Sequence, residues 1–136
     1  MNRQDFKTIA LMRLKEVEVL LNNGQYSGAY YLIGYVVECA LKACIARQTR
    51  KSDFPDKKTV LDSYTHDLEK LVKVAKLENE FKVERNNPDF YSRWLRVKEW
   101  NEESRYQKHS RQKSIEIYQS ITDTNHGVLQ WLQQHW

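Results

Sequence analysis

Glu38 and Lys42 stand one helical turn apart inside "YYLIGYVVECALKACIA", residues 30–46, a stretch that is otherwise apolar or uncharged. A helix that is apolar on nearly every side is built to be buried, so an acid and a base within it need a partner or a purpose. Tyr30, Gly34, Glu38 and Lys42 recur at four-residue steps and share one helix face, with Gly34 leaving room for a close neighbour. Two readings stay open. One is a structural ion pair in the favoured Glu-before-Lys order, kept because breaking it strands a charge. The other is a site, formed where a second helix or a second subunit brings polar groups to this face.

Other residue types that can do chemistry are scattered. His66 precedes an apolar stripe, where a histidine serves as a cap, as the edge of a core or as a proton carrier. Trp94 and Trp100 flank Val97 and read as core, with base stacking as the alternative. Arg93, Arg96, Lys98 and Arg105 interleave with those aromatics and with Tyr106, a composition shared by nucleic-acid grooves and solvated helix faces. Arg47, Arg50, Lys51, Lys57 and Lys58 flank Phe54 and read as solvated surface, with phosphate contact as the alternative. His126 and His135 lack supporting spacing and read as structural or exposed. Cys39 and Cys44 point to different faces and have no third cysteine, so both read as reduced, small apolar side chains. Two cysteines and four histidines give no zinc spacing, and no metal or cofactor is expected.

Helices must position these groups. The 136 residues suit a single domain over 1–136, and four Gly and two Pro among 29% charged residues favour an all-α protein. Apolar positions at three- and four-residue steps predict helix one from Asp5 to about Leu21, stopped at "NNGQ" with Gly24 as cap. Helix two runs from about Tyr26 to Arg47. "QTRKSDFPDKK" reads as a surface loop with Phe54 plugging back onto the core. Ser63 and Thr65 are cap candidates for helix three, striped by Leu68, Leu71, Val72 and Ala75, with a break at Pro88. A short helix carries Trp94, Val97 and Trp100. A long last helix spans about Arg111 to Gln134, with "TDTNHG" weak enough to kink. The sum is an antiparallel bundle of four to five helices.

The polar N-terminus does not read as a signal peptide, and the apolar stretch with its charge pair falls short of a membrane span. A cytoplasmic protein without a membrane partner is expected. The net charge of +4 mildly favours an acidic partner.

"NNGQYSGAYYLIGYVVECALKACIA", then Phe54 and Pro55, "HDLEKL" from His66, Trp94 and Trp100, "SRY" ending at Tyr106, and "GVLQWL" together resemble the HEPN superfamily of small helical bacterial and archaeal proteins. Tyr26, Gly34, Tyr35, Glu38 and Lys42 in register are the most specific part. The resemblance implies a bundle that usually dimerises, in toxin-antitoxin and phage-defence systems, often beside a small nucleotidyltransferase or another antitoxin partner. Many members are metal-independent RNases with an Arg followed, after four to six intervening residues, by a His at the dimer cleft. His moves protons for attack by a 2′-hydroxyl, and Arg steadies the phosphate. Here the nearest match is Arg105 and His109, with three residues between them. On a continuous helix that spacing places both on one face.

Three functions follow from the resemblance. One is an RNA- or nucleotide-binding protein acting with a partner. A second is an RNase toxin with Arg105 and His109 catalytic and Glu38, Lys42, His66, Tyr106 and Tyr30 supporting the cleft. The third is a non-catalytic dimerisation bundle. The binding protein is the preferred expectation, and whether the chain is an enzyme stays open.

Overall fold

The computed structural model describes residues 1–50 and 55–136, and everything below concerns those residues. The expected Phe54 plug, Lys51 and the Arg50 side chain lie outside them. The helices are α1 (Arg3–Asn22), α2 (Tyr26–Arg50), α3 (Lys57–Asp62), α4 (Leu68–Val74), α5 (Glu78–Glu84), α6 (Pro88–Val97), a 3-10 helix (Glu102–Tyr106), α7 (Arg111–Thr122) and α8 (Val128–Gln133). No strand occurs among the described residues, in agreement with the all-α expectation.

α2 is the axis of the bundle, packing against α1, α4, the 3-10 helix, α7 and α8. Ile33, Val36, Val37, Ala40, Leu41 and Cys44 are buried along it. Residues 26–49 have the length and apolar composition of a membrane span, yet 67% of the 18-residue apolar window within it is buried inside the protein. Its hydrophobicity is therefore accounted for by the core.

α1 begins in a capping box, in which Asn2 and Asp5 satisfy each other's backbone N–H groups. It ends in a Schellman turn: Gly24 takes φ +72°, and the Gln25 N–H donates to the Leu20 carbonyl at 2.8 Å. That turn sends α2 back antiparallel to α1. The 3.1 Å bonds from the Trp100 indole N–H to the Tyr30 and Tyr31 carbonyls hold the end of the α6 leg at the start of α2. The Ser114 hydroxyl bonds the Tyr26 carbonyl at 2.7 Å, and the Cys44 thiol reaches the Leu132 carbonyl at 3.7 Å. The α7–α8 leg therefore runs alongside α2 in the same direction. α1, α2, α6 and α7–α8 are the four legs of the bundle.

Three local expectations are corrected and a fourth is refined. The connection after α2 contains α3, because Asp56 caps it by accepting from the Thr59 N–H at 2.6 Å. Helix three is two helices: α4, capped by Asp67 rather than Ser63 or Thr65, ends in a second Schellman turn with Lys76 at φ +57°, and α5 follows. The break expected at Pro88 is present between α5 and α6, with Pro88 at the first position of α6, which suits proline, and Asn87 capping it. The last helix is broken rather than kinked. Gly127 sits so tightly against the turn that a Cβ there would lie 2.4 Å from the Asp123 carbonyl oxygen.

Candidate functional site

The face of α2 that carries Tyr30, Gly34, Glu38 and Lys42 meets a different partner at each turn. Tyr30 is buried under His109, with ring centroids 3.8 Å apart and nearly parallel planes. Gly34 accepts the face of Trp100 so closely that a Cβ would fall 1.9 Å from the indole ring. The neighbour for which the glycine leaves room is therefore Trp100, which is buried along with Trp94 as the core reading expects.

Farther along, Glu38 is buried with a side chain only 6% exposed. One oxygen accepts from Lys42 Nζ at 2.8 Å and the other meets His66 Nδ1 at 2.8 Å. Lys42 and His66 flank the carboxylate and satisfy both oxygens, which a buried acid requires. His66 is brought there by the extended chain ahead of α4, where the Thr65 hydroxyl accepts from the Asp67 N–H. The histidine is thus a partner of the acid and not a helix cap. Its side chain is 43% exposed.

An aromatic strip extends from this acid. The Tyr35 ring meets His66, Trp100 and Tyr31 edge-on, at centroid distances of 6.0, 5.0 and 5.3 Å, and the Tyr35 and Tyr31 hydroxyls are 3.3 Å apart. Burial, together with the Tyr31 hydroxyl, holds the Tyr35 phenol above its ordinary pKa, so it stays a neutral donor. Arg105 and Tyr106 stand exposed at the end of the 3-10 helix, with the guanidinium 4.7 Å from the Tyr106 ring centre. The Tyr106 and Tyr31 hydroxyls push the Arg105 pKa up, so Arg105 is a permanent cation.

Arg105 and His109 do not share a helix. The 3-10 helix ends at Tyr106, Gln107 is extended, and α7 starts only at Arg111 behind its Ser110 cap. Arg105 faces outward while His109 turns in. The Ser27 hydroxyl accepts from the His109 N–H at 2.9 Å, and Lys113 Nζ lies 5.2 Å from the Tyr30 ring centre. Burial first, and Lys113 second, depress the His109 pKa, against an opposing pull from the Ser104 carbonyl. Its Nε2 is buried without a hydrogen-bond partner.

The remaining candidates are engaged elsewhere. Arg93 pairs with Asp123 at 3.1 Å and Lys98 with Glu69 at 3.3 Å, which makes them part of a solvated face. His126 contacts the Asn87 side chain, and His135 lies edge-on to Trp131. Cys39 is half-buried and Cys44 buried; burial raises their thiols to about 11 and about 12, so both are inert. Among the described residues no cluster of three His, Cys, Asp or Glu side chains is arranged to hold a metal ion. The four-residue spacing anticipated the Glu38–Lys42 pair, and the structure shows it; that His66 joins the same carboxylate was not legible. Tyr31 was missed, because its role depends on the loop that carries Arg105.

A helical bundle built on one polar-faced core helix is the class that fold and site define. The HEPN domain model matches residues 4–135, nearly the whole chain. The protein belongs to the HEPN domain family. Comparison with curated proteins and with solved structures returns no match.

Proposed function

We propose that this chain is an RNA- or nucleotide-binding HEPN protein of a toxin-antitoxin or phage-defence system. It acts in the cytoplasm, pairs with a second copy of itself, and works with a partner such as a small nucleotidyltransferase. The binding face is the strip of Tyr31, Tyr35, His66, Arg105 and Tyr106. The observation that carries this reading is the open pair at the end of the 3-10 helix: Arg105 and Tyr106 are both exposed, stacked on each other and flanked by two further tyrosines. A guanidinium holds a phosphate and an exposed phenol ring stacks a base. The net charge of +4 favours the same ligands.

Anisotropy of a labelled single-stranded RNA and of a labelled ATP tests the reading. Tyr106→Ala is expected to weaken binding about tenfold or more, the scale of one base–aromatic stack. Arg105→Ala is expected to weaken it and flatten its salt dependence. Undiminished binding by both variants, or no binding by the wild type, sinks it.

A second reading, the RNase with Arg105 and His109 catalytic, is favoured by the buried His109 Nε2 that lacks a partner. It requires the segment 107–110 to turn His109 outward. Cleavage in EDTA that a folded His109→Ala variant loses would select it.

A further inference from the structure

A second concave surface shares no residue with the Tyr31, Tyr35, His66, Arg105 and Tyr106 strip. It is an open groove of about 260 Å³ between α4, α5 and α6, with Val72, Phe81 and Trp94 in its wall. Val72 and Trp94 are buried, while Phe81 is only partly so. α5 buries none of its residues and has no side-chain cap at its N-terminus. It is anchored through the Phe81 ring, edge-on to Phe90, Trp94 and Trp131 at centroid distances of 6.1, 5.2 and 5.8 Å. So short a helix has little stability of its own, and the packing of Phe81 keeps that wall in place.

The rim of this groove is mainly cationic. Lys73 lies in the last turn of α4, Lys82 in the last turn of α5, and Arg85 is the α5 C-cap, so three helix-terminal cations converge there. All three are exposed, and among the described residues none of them forms an ion pair. Of the two acids that line the groove, Glu69 is drawn to Lys98 at 3.3 Å, which leaves Glu78. The sign is local, because the neighbouring cavity that shares Glu69 is lined by Asp67, Glu99 and Glu102. Size narrows the occupant: a cavity of ~150 Å³ takes a benzene ring, whereas clefts for drug-sized ligands run from about 300 to 1,000 Å³. A groove of about 260 Å³ suits one large apolar side chain. A small anion would forgo the apolar wall, and a neutral segment would leave the cations unmatched. We propose that this groove docks an acidic segment of a partner protein. One large apolar side chain of the segment packs against Phe81 and Trp94, and its carboxylates face Lys73, Lys82 and Arg85, a buried anchor inside a charged rim. The proposal rests on the reading above only in that the chain works with a protein partner, and it does not involve the RNA- or nucleotide-binding strip.

The test is selection from a display library of random dodecapeptides on the immobilised full chain, followed by anisotropy of the leading peptide carrying a fluorescent label. The selected sequences are expected to be rich in Asp and Glu around a Leu, Phe or Trp. Alanine in place of that apolar residue is expected to weaken binding about tenfold or more, the scale of a hot-spot anchor. The double variant Lys82→Glu, Arg85→Glu changes two exposed side chains, and circular dichroism checks its fold. It is expected to bind the leading peptide about tenfold more weakly than the wild type and to bind labelled RNA and ATP as the wild type does. No enrichment, enrichment of basic or uncharged sequences, or equal binding by the double variant overturns the proposal. So does self-association of the wild type that the double variant loses, which would give the groove to a second copy of the chain, and so does RNA binding weakened by the same variant, which would make the groove part of the nucleic-acid surface. A wild type that selects acidic peptides but binds neither RNA nor ATP upholds the groove and sinks the strip reading alone.

Discussion

Two histidines occupy the two ends of one face of α2, and the chain treats them in opposite ways. His109 sits over Tyr30, sealed, with one ring nitrogen buried and unpartnered and with its charged form disfavoured. His66 sits on Glu38, about 12 Å farther along the helix axis at 1.5 Å per residue, with a negative partner and an open flank. The sealed histidine behaves as an aromatic core side chain. The other has a carboxylate behind it and solvent in front. Between them Trp100 lies on Gly34 and bonds the Tyr30 and Tyr31 carbonyls, so a single side chain holds both environments apart.

Removing that separator should have the largest effect. Gly34→Ala puts a methyl 1.9 Å from the indole of Trp100, far inside van der Waals contact, and the obstacle is a buried ring rather than a flexible tip. Overpacking of this severity is expected to cost about 3 kcal/mol or more. Urea unfolding at neutral pH measures it. A loss below about 1 kcal/mol would mean that Trp100 can leave Gly34 freely and that the two environments are not mechanically joined.

Breaking the open end comes next. Glu38→Gln leaves Lys42 without its anion in a largely buried setting, and removal of one member of such a pair costs roughly 3 kcal/mol. The double variant Glu38→Leu, Lys42→Met replaces both charges with apolar groups and is expected to recover most of that loss. Denaturant midpoints of the three proteins give the comparison. A double variant no more stable than Glu38→Gln would show that His66, and not Lys42, carries the energetic dependence on Glu38.

How much of this contrast could be read from the sequence depends on how local its causes are. The helical legs follow from apolar periodicity, and Gly24 announces its turn because glycine takes a positive φ without strain. The equivalent turn at Lys76 is silent, since a lysine gives no such sign. The four-residue spacing of Tyr30, Gly34, Glu38 and Lys42 is legible as a face. What each position meets is not, because His109, Trp100 and His66 arrive from segments 28 to 79 residues away in sequence, as Glu38 to His66 and Tyr30 to His109 illustrate. The shared helix face expected of Arg105 and His109 is absent for the complementary reason. Their spacing carries meaning only on a continuous helix, and the extended Gln107 and the Ser110 cap interrupt it.

The sealed end gives the smallest and most diagnostic effect, through pH. Burial and Lys113 hold the His109 pKa below the ordinary histidine value, so the unfolded chain binds this proton more readily than the native one. Stability from keeping His109 neutral is therefore complete above about pH 6.5, the unfolded value, and is lost as pH falls toward the depressed native value. The slope from this one group cannot exceed about 1.4 kcal/mol per pH unit. Urea midpoints between pH 7.5 and 5.5 are expected to fall for the wild type and to fall less steeply for His109→Phe, which keeps a ring over Tyr30 but cannot charge. Equal slopes for the two proteins would mean that protonated His109 escapes to solvent at little cost. The segment between the 3-10 helix and α7 would then open readily and let His109 reach solvent.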